Sequence, residues 1–216
     1  MMPASKTARE IYEIKKLKKD GSISCNHIDN VVHALRDGEL FVMPVDSVYG
    51  IVGINRNDVV SSILELSGGD SDNLEIIISN FKMLEEVASI DKFSYDFLKR
   101  VWPGEVTVQL KSRKCLSDNC ILMRMPRHKY LLDIVSGVGK PLVYMPAKSS
   151  VRKMIYNDKE IIRRFKNFCS LLLISEFNKN HTMPTLIDIS CDKLTILNEG
   201  RVSSDEIKSL YFLGNL

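Results

Sequence analysis

What most constrains this chain is the interleaving of short apolar runs with amphipathic stretches, each closed by a turn signal, over nearly its whole length. Asn26 reads as the cap of a helix carrying Ile28, Val31, Val32 and Leu35 on one face and ended by Asp37-Gly38. Residues 40–45 then read as a buried strand. Asp58 opens a helix through Val59, Val60, Ile63 and Leu64 that stops at Ser67-Gly68-Gly69, and residues 74–79, with three consecutive isoleucines, suit a central strand. Helices over 81–88 and 91–101, a turn at Trp102-Pro103-Gly104, and strands over 106–110 and 121–125 follow. Farther on, helices are expected over 129–136, 158–166 and 204–210, strands over 142–145, 171–175, 186–189 and 194–197, and a loop over 148–153. Elements that alternate in this way predict a single α/β domain. Some strand-to-strand links are too short for a crossover helix, so the sheet is expected to mix parallel and antiparallel pairs.

The first residues differ in character. Lys15, Lys16, Lys18 and Lys19 crowd together, and Ile11, Ile14 and Leu17 recur at helical spacing ahead of Asp20-Gly21. This pattern predicts a short helix with a solvated basic face. Residues 1–22 are therefore read as a basic N-terminal extension and 23–216 as the domain.

Composition excludes several classes. A chain of 216 residues, 44% of them hydrophobic, can bury a substantial core, and a net charge of +3 is far from that of a polycation or a disordered acidic chain. The longest apolar stretches fall well short of the roughly 20 residues a membrane helix needs, and no secretory apolar region follows the N-terminus. The five cysteines, Cys25, Cys115, Cys120, Cys169 and Cys191, include no Cys-x-x-Cys pair, so a reduced, cytoplasmic protein without a metal site is expected. His27, His33, His128 and His181 are scattered and read as surface or helix-terminal residues. P-loop, dinucleotide, His-Glu-x-x-His and Gly-x-Ser-x-Gly patterns are absent, and no residue is singled out as catalytic.

The informative segments are the turns at strand ends. In Phe41-Val-Met-Pro-Val-Asp-Ser-Val-Tyr-Gly50 an apolar strand runs into a polar turn holding Asp46, Ser47 and Tyr49. Ligand groups in α/β proteins gather at such places. From the residues alone, Asp46 as a turn cap and Tyr49 as a core residue is the simpler reading. Trp102-Pro-Gly-Glu-Val-Thr107 is a turn with a core tryptophan, and Arg124-Met-Pro126 ends a strand with a cation. Met183-Pro-Thr-Leu-Ile-Asp188 joins a turn to an apolar strand.

In order and spacing these segments resemble the threonylcarbamoyl-AMP synthase, or YrdC-like, family. That family has Pro-Thr-Asp-Thr-x-Tyr-Gly, Trp-Pro-Gly-Pro-x-Thr, Arg-x-Pro, Ser-Ala-Asn and Ser-Thr-Val-Val-Asp segments. Here they stand as Pro44-Val45-Asp46-Ser47-Val48-Tyr49-Gly50, Trp102-Pro103-Gly104-Glu105-Val106-Thr107, Arg124-Met125-Pro126, Pro146-Ala147-Lys148 and Pro184-Thr185-Leu186-Ile187-Asp188. The likeness covers roughly residues 26–202. It implies one YrdC-like α/β domain, a twisted mixed parallel/antiparallel sheet flanked by helices, with a concave basic surface. It also implies a reaction joining threonine, bicarbonate and ATP with Mg²⁺ into threonylcarbamoyl-AMP, for threonylcarbamoyladenosine in tRNA.

By the same resemblance Asp46, Ser47, Tyr49 and Thr185 would form the threonine end, while Thr107, Arg124 and Lys148 would face the nucleotide. The chain departs from the pattern at defined places. Ser67 and Gly69 occupy the two positions of the family's Lys-x-Arg pair, and no lysine or arginine lies between Val59 and Asn80. Ser-Ala-Asn has become Pro146-Ala147-Lys148, and Asn198 stands where arginine is common. Lys148, then Arg152, Lys153 or Arg201, could replace the lost cations. The alternative is a catalytically silent YrdC-like module that binds RNA (tRNA or double-stranded RNA), a nucleotide or a protein.

Overall fold

Phe41-Val-Met-Pro-Val carries no polar side chain and must be covered on both faces. It forms β2 (Phe41–Val45), with every residue buried. The computed structural model describes residues 9–46, 48–68, 71–113, 120–149, 153–175, 182–191 and 193–213. β2 pairs with the antiparallel β3 (Val48–Ile54) and on its other side, in parallel, with β9 (Ser170–Ile174). β1 (Ile11–Ile14) runs parallel to β9 and closes that edge.

From β3 the sheet continues through β8 (Leu142–Pro146), β4 (Glu75–Ile77), β7 (Cys120–Arg124), β6 (Val106–Ser112), β10 (Thr185–Asp188) and β11 (Thr195–Asn198). β5 (Ala88–Ser89) pairs with β6 off this path. Parallel pairs (β4 with β7, β6 with β10) alternate with antiparallel ones (β3 with β8, β6 with β7), as the short links require.

Seven helices pack around this frame among the described residues: α1 (Cys25–Arg36), α2 (Asn57–Ser67), α3 (Phe81–Val87), α4 (Lys92–Val101), α5 (Lys129–Val138), α6 (Asp158–Phe165) and α7 (Ser204–Phe212). α1 lies on α5, and Gly137 permits the approach: a Cβ there would come within 2.7 Å of Val32 Cγ2. None of the helices is long and apolar enough to cross a membrane, among the described residues.

Three expectations are corrected by the structure. The segment carrying Ile11 and Ile14 is a strand and not a helix, because β9 offers an open row of backbone donors and acceptors that β1 satisfies. Ile14 is buried there, and the Tyr12 ring stacks on Phe41 with centroids 6.3 Å apart. Second, Ser24, not Asn26, caps α1, accepting from the His27 N–H. The polar turn read around Asp46 to Tyr49 also proves shorter than it looks, since Val48 onward is fully buried strand.

Candidate functional site

The tight β2–β3 connection places Asp46 in the left-handed region at φ +54, a conformation that a short polar side chain tolerates. Its carboxylate is buried. Oδ2 lies 3.1 Å from Arg124 Nη1, while Oδ1 accepts from the Arg127 N–H at 3.1 Å and faces His128 Nδ1 at 2.9 Å. The other arm of Arg124, Nη2, is 3.1 Å from Glu75 Oε2, and the Arg124 side chain is 0% exposed. Its guanidinium carbon sits 5.5 Å from the centre of the Tyr144 ring. Two carboxylates thus enclose one buried guanidinium.

The environments of these two acids push in opposite directions. Burial works against the Asp46 carboxylate, but His128, Arg124 and the Arg127 N–H outweigh it and hold Asp46 below the usual range. For Glu75 burial wins over the attraction of Arg124, with the Asp46 charge adding to it, so its pKa is raised. The Thr107 hydroxyl lies against Glu75 and favours its anion, though outside hydrogen-bond alignment. Burial opposes the charge on Arg124, yet Glu75 and Asp46 more than restore it. Asp46 and Arg124 therefore form the fixed pair, and Glu75 is the member whose proton is held to higher pH than usual.

On the neighbouring strands Tyr49 points its buried ring inward and donates from its hydroxyl to Asp158 Oδ1 at 2.7 Å, joining β3 to the first turn of α6. The Ala147 N–H donates to Tyr49 O at 2.8 Å, and Gly50 pairs with Pro146. Lys148 follows directly, half-buried, its main chain bridging Met154.

The Trp-Pro-Gly turn is built just as closely. Trp102–Pro103 is a cis peptide, and Trp102 Nε1 donates to Val106 O at 2.8 Å. A Cβ on Gly104 would lie 2.3 Å from Val101 O, so only glycine fits there. The Gly104 N–H reaches Met125 O at 3.0 Å, and the Thr185 N–H reaches Glu105 O at 3.1 Å. The Thr185 hydroxyl donates to Val202 O while accepting from the Gly200 and Val202 N–H groups at 3.0 and 3.1 Å. Arg201 Nε stands 3.2 Å from Glu105 Oε2.

The five segments, distant in sequence, are thus stitched into one continuous network. Of the residues singled out by sequence, Asp46, Tyr49, Thr107, Arg124 and Thr185 are buried within it, and Thr185 has all three hydrogen-bonding capacities of its hydroxyl filled by the chain itself. Lys148 lies at its margin, while Ser47 and Arg152 lie outside the described residues. Sequence reasoning missed Glu75, His128 and Asp158. Glu75 had a signal, an acid opening an isoleucine strand, which demands a buried cation. Asp158 looked like any acid in the first turn of a helix.

A family model named Sua5/YciO/YrdC, described as "Telomere recombination", matches residues 33–200. The chain belongs to the Sua5/YciO/YrdC family. It is 25% identical over 186 residues to a threonylcarbamoyl-AMP synthase of Pyrococcus abyssi, covering 82% of this chain but 54% of that relative. The chain thus spans about half the length of that protein. It is 23% identical over 180 residues to a threonylcarbamoyl-AMP synthase of Vibrio vulnificus, covering 78% of this chain and 97% of the relative. The crystal structure of P. abyssi Sua5 complexed with L-threonine superposes with a TM-score of 0.80 at 23% identity, over 93% of this chain and 60% of that one. The Sua5/YciO/YrdC fold is thereby established for the chain.

Proposed function

We propose that this chain carries out chemistry of the threonylcarbamoyl-AMP synthase type. The amine of threonine adds to carbon dioxide derived from bicarbonate and loses a proton. The resulting carbamate oxygen attacks the α-phosphorus of ATP, and the bond to pyrophosphate breaks. Such a reaction is driven by positioning and charge neutralisation rather than by covalent help from the protein. Mg²⁺ enters with ATP as part of the substrate. The product would feed threonylcarbamoyladenosine formation in tRNA.

The observation that carries this reading is the linkage of all five family segments into one network through Asp46, Tyr49, Ala147, Arg124, Gly104 and Thr185. The curated relatives named threonylcarbamoyl-AMP synthase support the chemistry. In this reading Asp46, Ser47 and Tyr49 shape the threonine end, with Thr185 closing it, and Thr107, Arg124 and Lys148 serve the nucleotide side. Lys148 supplies the phosphate-facing charge that residues 59–80 lack.

One observation favours a second reading. Arg124, the obvious cation of the network, is held between Asp46 and Glu75 with none of its side chain exposed. A cation so neutralised suits a silent module that binds a nucleotide, RNA or a protein without turnover. Pyrophosphate release in the presence of ATP, Mg²⁺, threonine and bicarbonate decides between them. Release that requires both threonine and bicarbonate and is abolished by Lys148→Ala supports the synthase; no release under any combination supports the silent module.

A further inference from the structure

Beside the Trp102-Pro103-Gly104 turn lies a cavity of about 340 Å³, large enough for a small polar ligand. Three arginines line it: Arg100 from the last turn of α4, Arg127 from the stretch before α5, and Arg201 from the segment before α7. Two carboxylates, Glu105 and Glu206, face them. Arg201 is paired with Glu105, and Arg100 Nη1 donates to Leu210 O at 3.1 Å. Arg127 is exposed, and among the described residues no carboxylate is paired with its guanidinium.

Three guanidinium groups in one small cavity repel one another, and two carboxylates do not balance them. Planar guanidinium forks match the paired oxygens of phosphate groups, which accept two parallel hydrogen bonds from each arginine. Arg127 also ties the cavity to the site already described. Its N–H donates to Asp46 Oδ1 while its side chain lines the cavity. Gly104 sits at the same junction, its N–H bonded to Met125 O.

We infer that this cavity is a subsite for linked phosphate groups, the polyphosphate end of a nucleotide or the pyrophosphate it releases, held by Arg100, Arg127 and Arg201. The inference rests on the ATP-using reading above and adds, beside Lys148, a second source of the positive charge missing from residues 59–80. Glu105 then acts as a resident competitor that a phosphate displaces from Arg201.

Calorimetric titration of the full chain with inorganic pyrophosphate tests this directly, with the amide signals of Gly104 and Arg127 followed by NMR to locate the ligand. Saturable binding that shifts both signals is expected. Arg127→Ala, a change at an exposed side chain, should weaken it about tenfold or more, the loss of a charge-assisted contact. Glu105→Gln should tighten it, because Arg201 loses its competing partner. ATP should compete with pyrophosphate for the same signals. The inference is overturned by no saturable binding at millimolar pyrophosphate, by unchanged affinity in Arg127→Ala, or by a single-stranded RNA that binds where pyrophosphate and ATP do not. Because binding is read without turnover, pyrophosphate binding in a chain that never releases pyrophosphate from ATP would sink the synthase reading and leave the subsite standing.

Discussion

Gly50 and Tyr144 face each other across β3 and β8 with no room for a methyl group between them: a Cβ on Gly50 would lie 1.9 Å from Tyr144 Cε2 and 2.9 Å from Met145 O. The glycine of the Tyr49-Gly50 pair thus exists so that the Tyr144 ring can lie across β3 and under the Arg124 guanidinium. Gly50→Ala should cost about 1–3 kcal/mol or more through overpacking, read from urea midpoints. Adding Tyr144→Ala should return part of that loss, since one of the two clashes disappears. If Gly50→Ala alone is neutral, the ring is not wedged there.

Arg124→Met leaves Asp46 and Glu75 buried without their shared cation. Breaking a buried pair in this way costs about 3–5 kcal/mol, so the variant should unfold at much lower denaturant. Combining it with Glu75→Gln should recover part of the loss, because one uncompensated charge is removed. A small loss in the single variant would mean that the guanidinium is solvated in solution.

Glu75 makes stability depend on pH with a definite sign. Its pKa in the fold is raised above the ordinary 4.5, so the folded chain holds that proton longer than the unfolded chain does. Stability contributed by the protonated group is complete below about 4.5 and is lost as pH rises through the raised value. Asp46 behaves oppositely: its lowered pKa gives stability above about 3.8 that disappears as pH falls further. Urea midpoints of Glu75→Gln, compared with the unsubstituted chain across roughly pH 4 to 8, should diverge upward with pH in favour of the variant. Parallel profiles would contradict this assignment of the proton.

Thr185→Val keeps the shape of the side chain but removes an acceptor for two N–H groups and a donor to Val202 O. Leaving those groups unpaired should cost about 1–3 kcal/mol. Amide exchange at Gly200 and Val202 should quicken more than exchange in β6. Uniform acceleration across the sheet would instead indicate a global loss.

The elements that were legible in the sequence are those whose signal is local. The apolar face of residues 28–35 marks a helix, the apolar runs at 40–45 and 171–174 mark strands because burial on both faces leaves an unbroken apolar record, and the alternation Val106-Thr-Val-Gln-Leu110 marks another. β3 was hidden because Gly50 and Gly53 lower its strand signal. Both are glycine for packing reasons that lie elsewhere in the chain: Tyr144 fills the space at one, and Val59 Cγ1 would meet a Cβ at the other at 2.4 Å. The β1 segment reads as a helix because a three-residue recurrence of apolar residues fits either element, and only β9, about 160 positions away, decides between them. For the site, the turns could be read but their linkage could not. Nothing near Arg124 in sequence says that Glu75 and Asp46 will both close on it.

The edge position of β1 bears on how this protein can be handled. The matched family span begins at residue 33, yet β9 depends on Ile11–Ile14 for its outer hydrogen bonds. A fragment begun just past β1, at residue 20, would keep every residue placed in the site yet bare Ser170-Leu-Leu-Leu-Ile174, a buried run with no charge or proline to deter pairing with a second chain. Lys15 and Lys16, just past β1, lie at the border that such a cut destroys. Shortened versions should therefore clump through that strand, and loss of activity in them would report edge-to-edge aggregation rather than the removal of a functional residue.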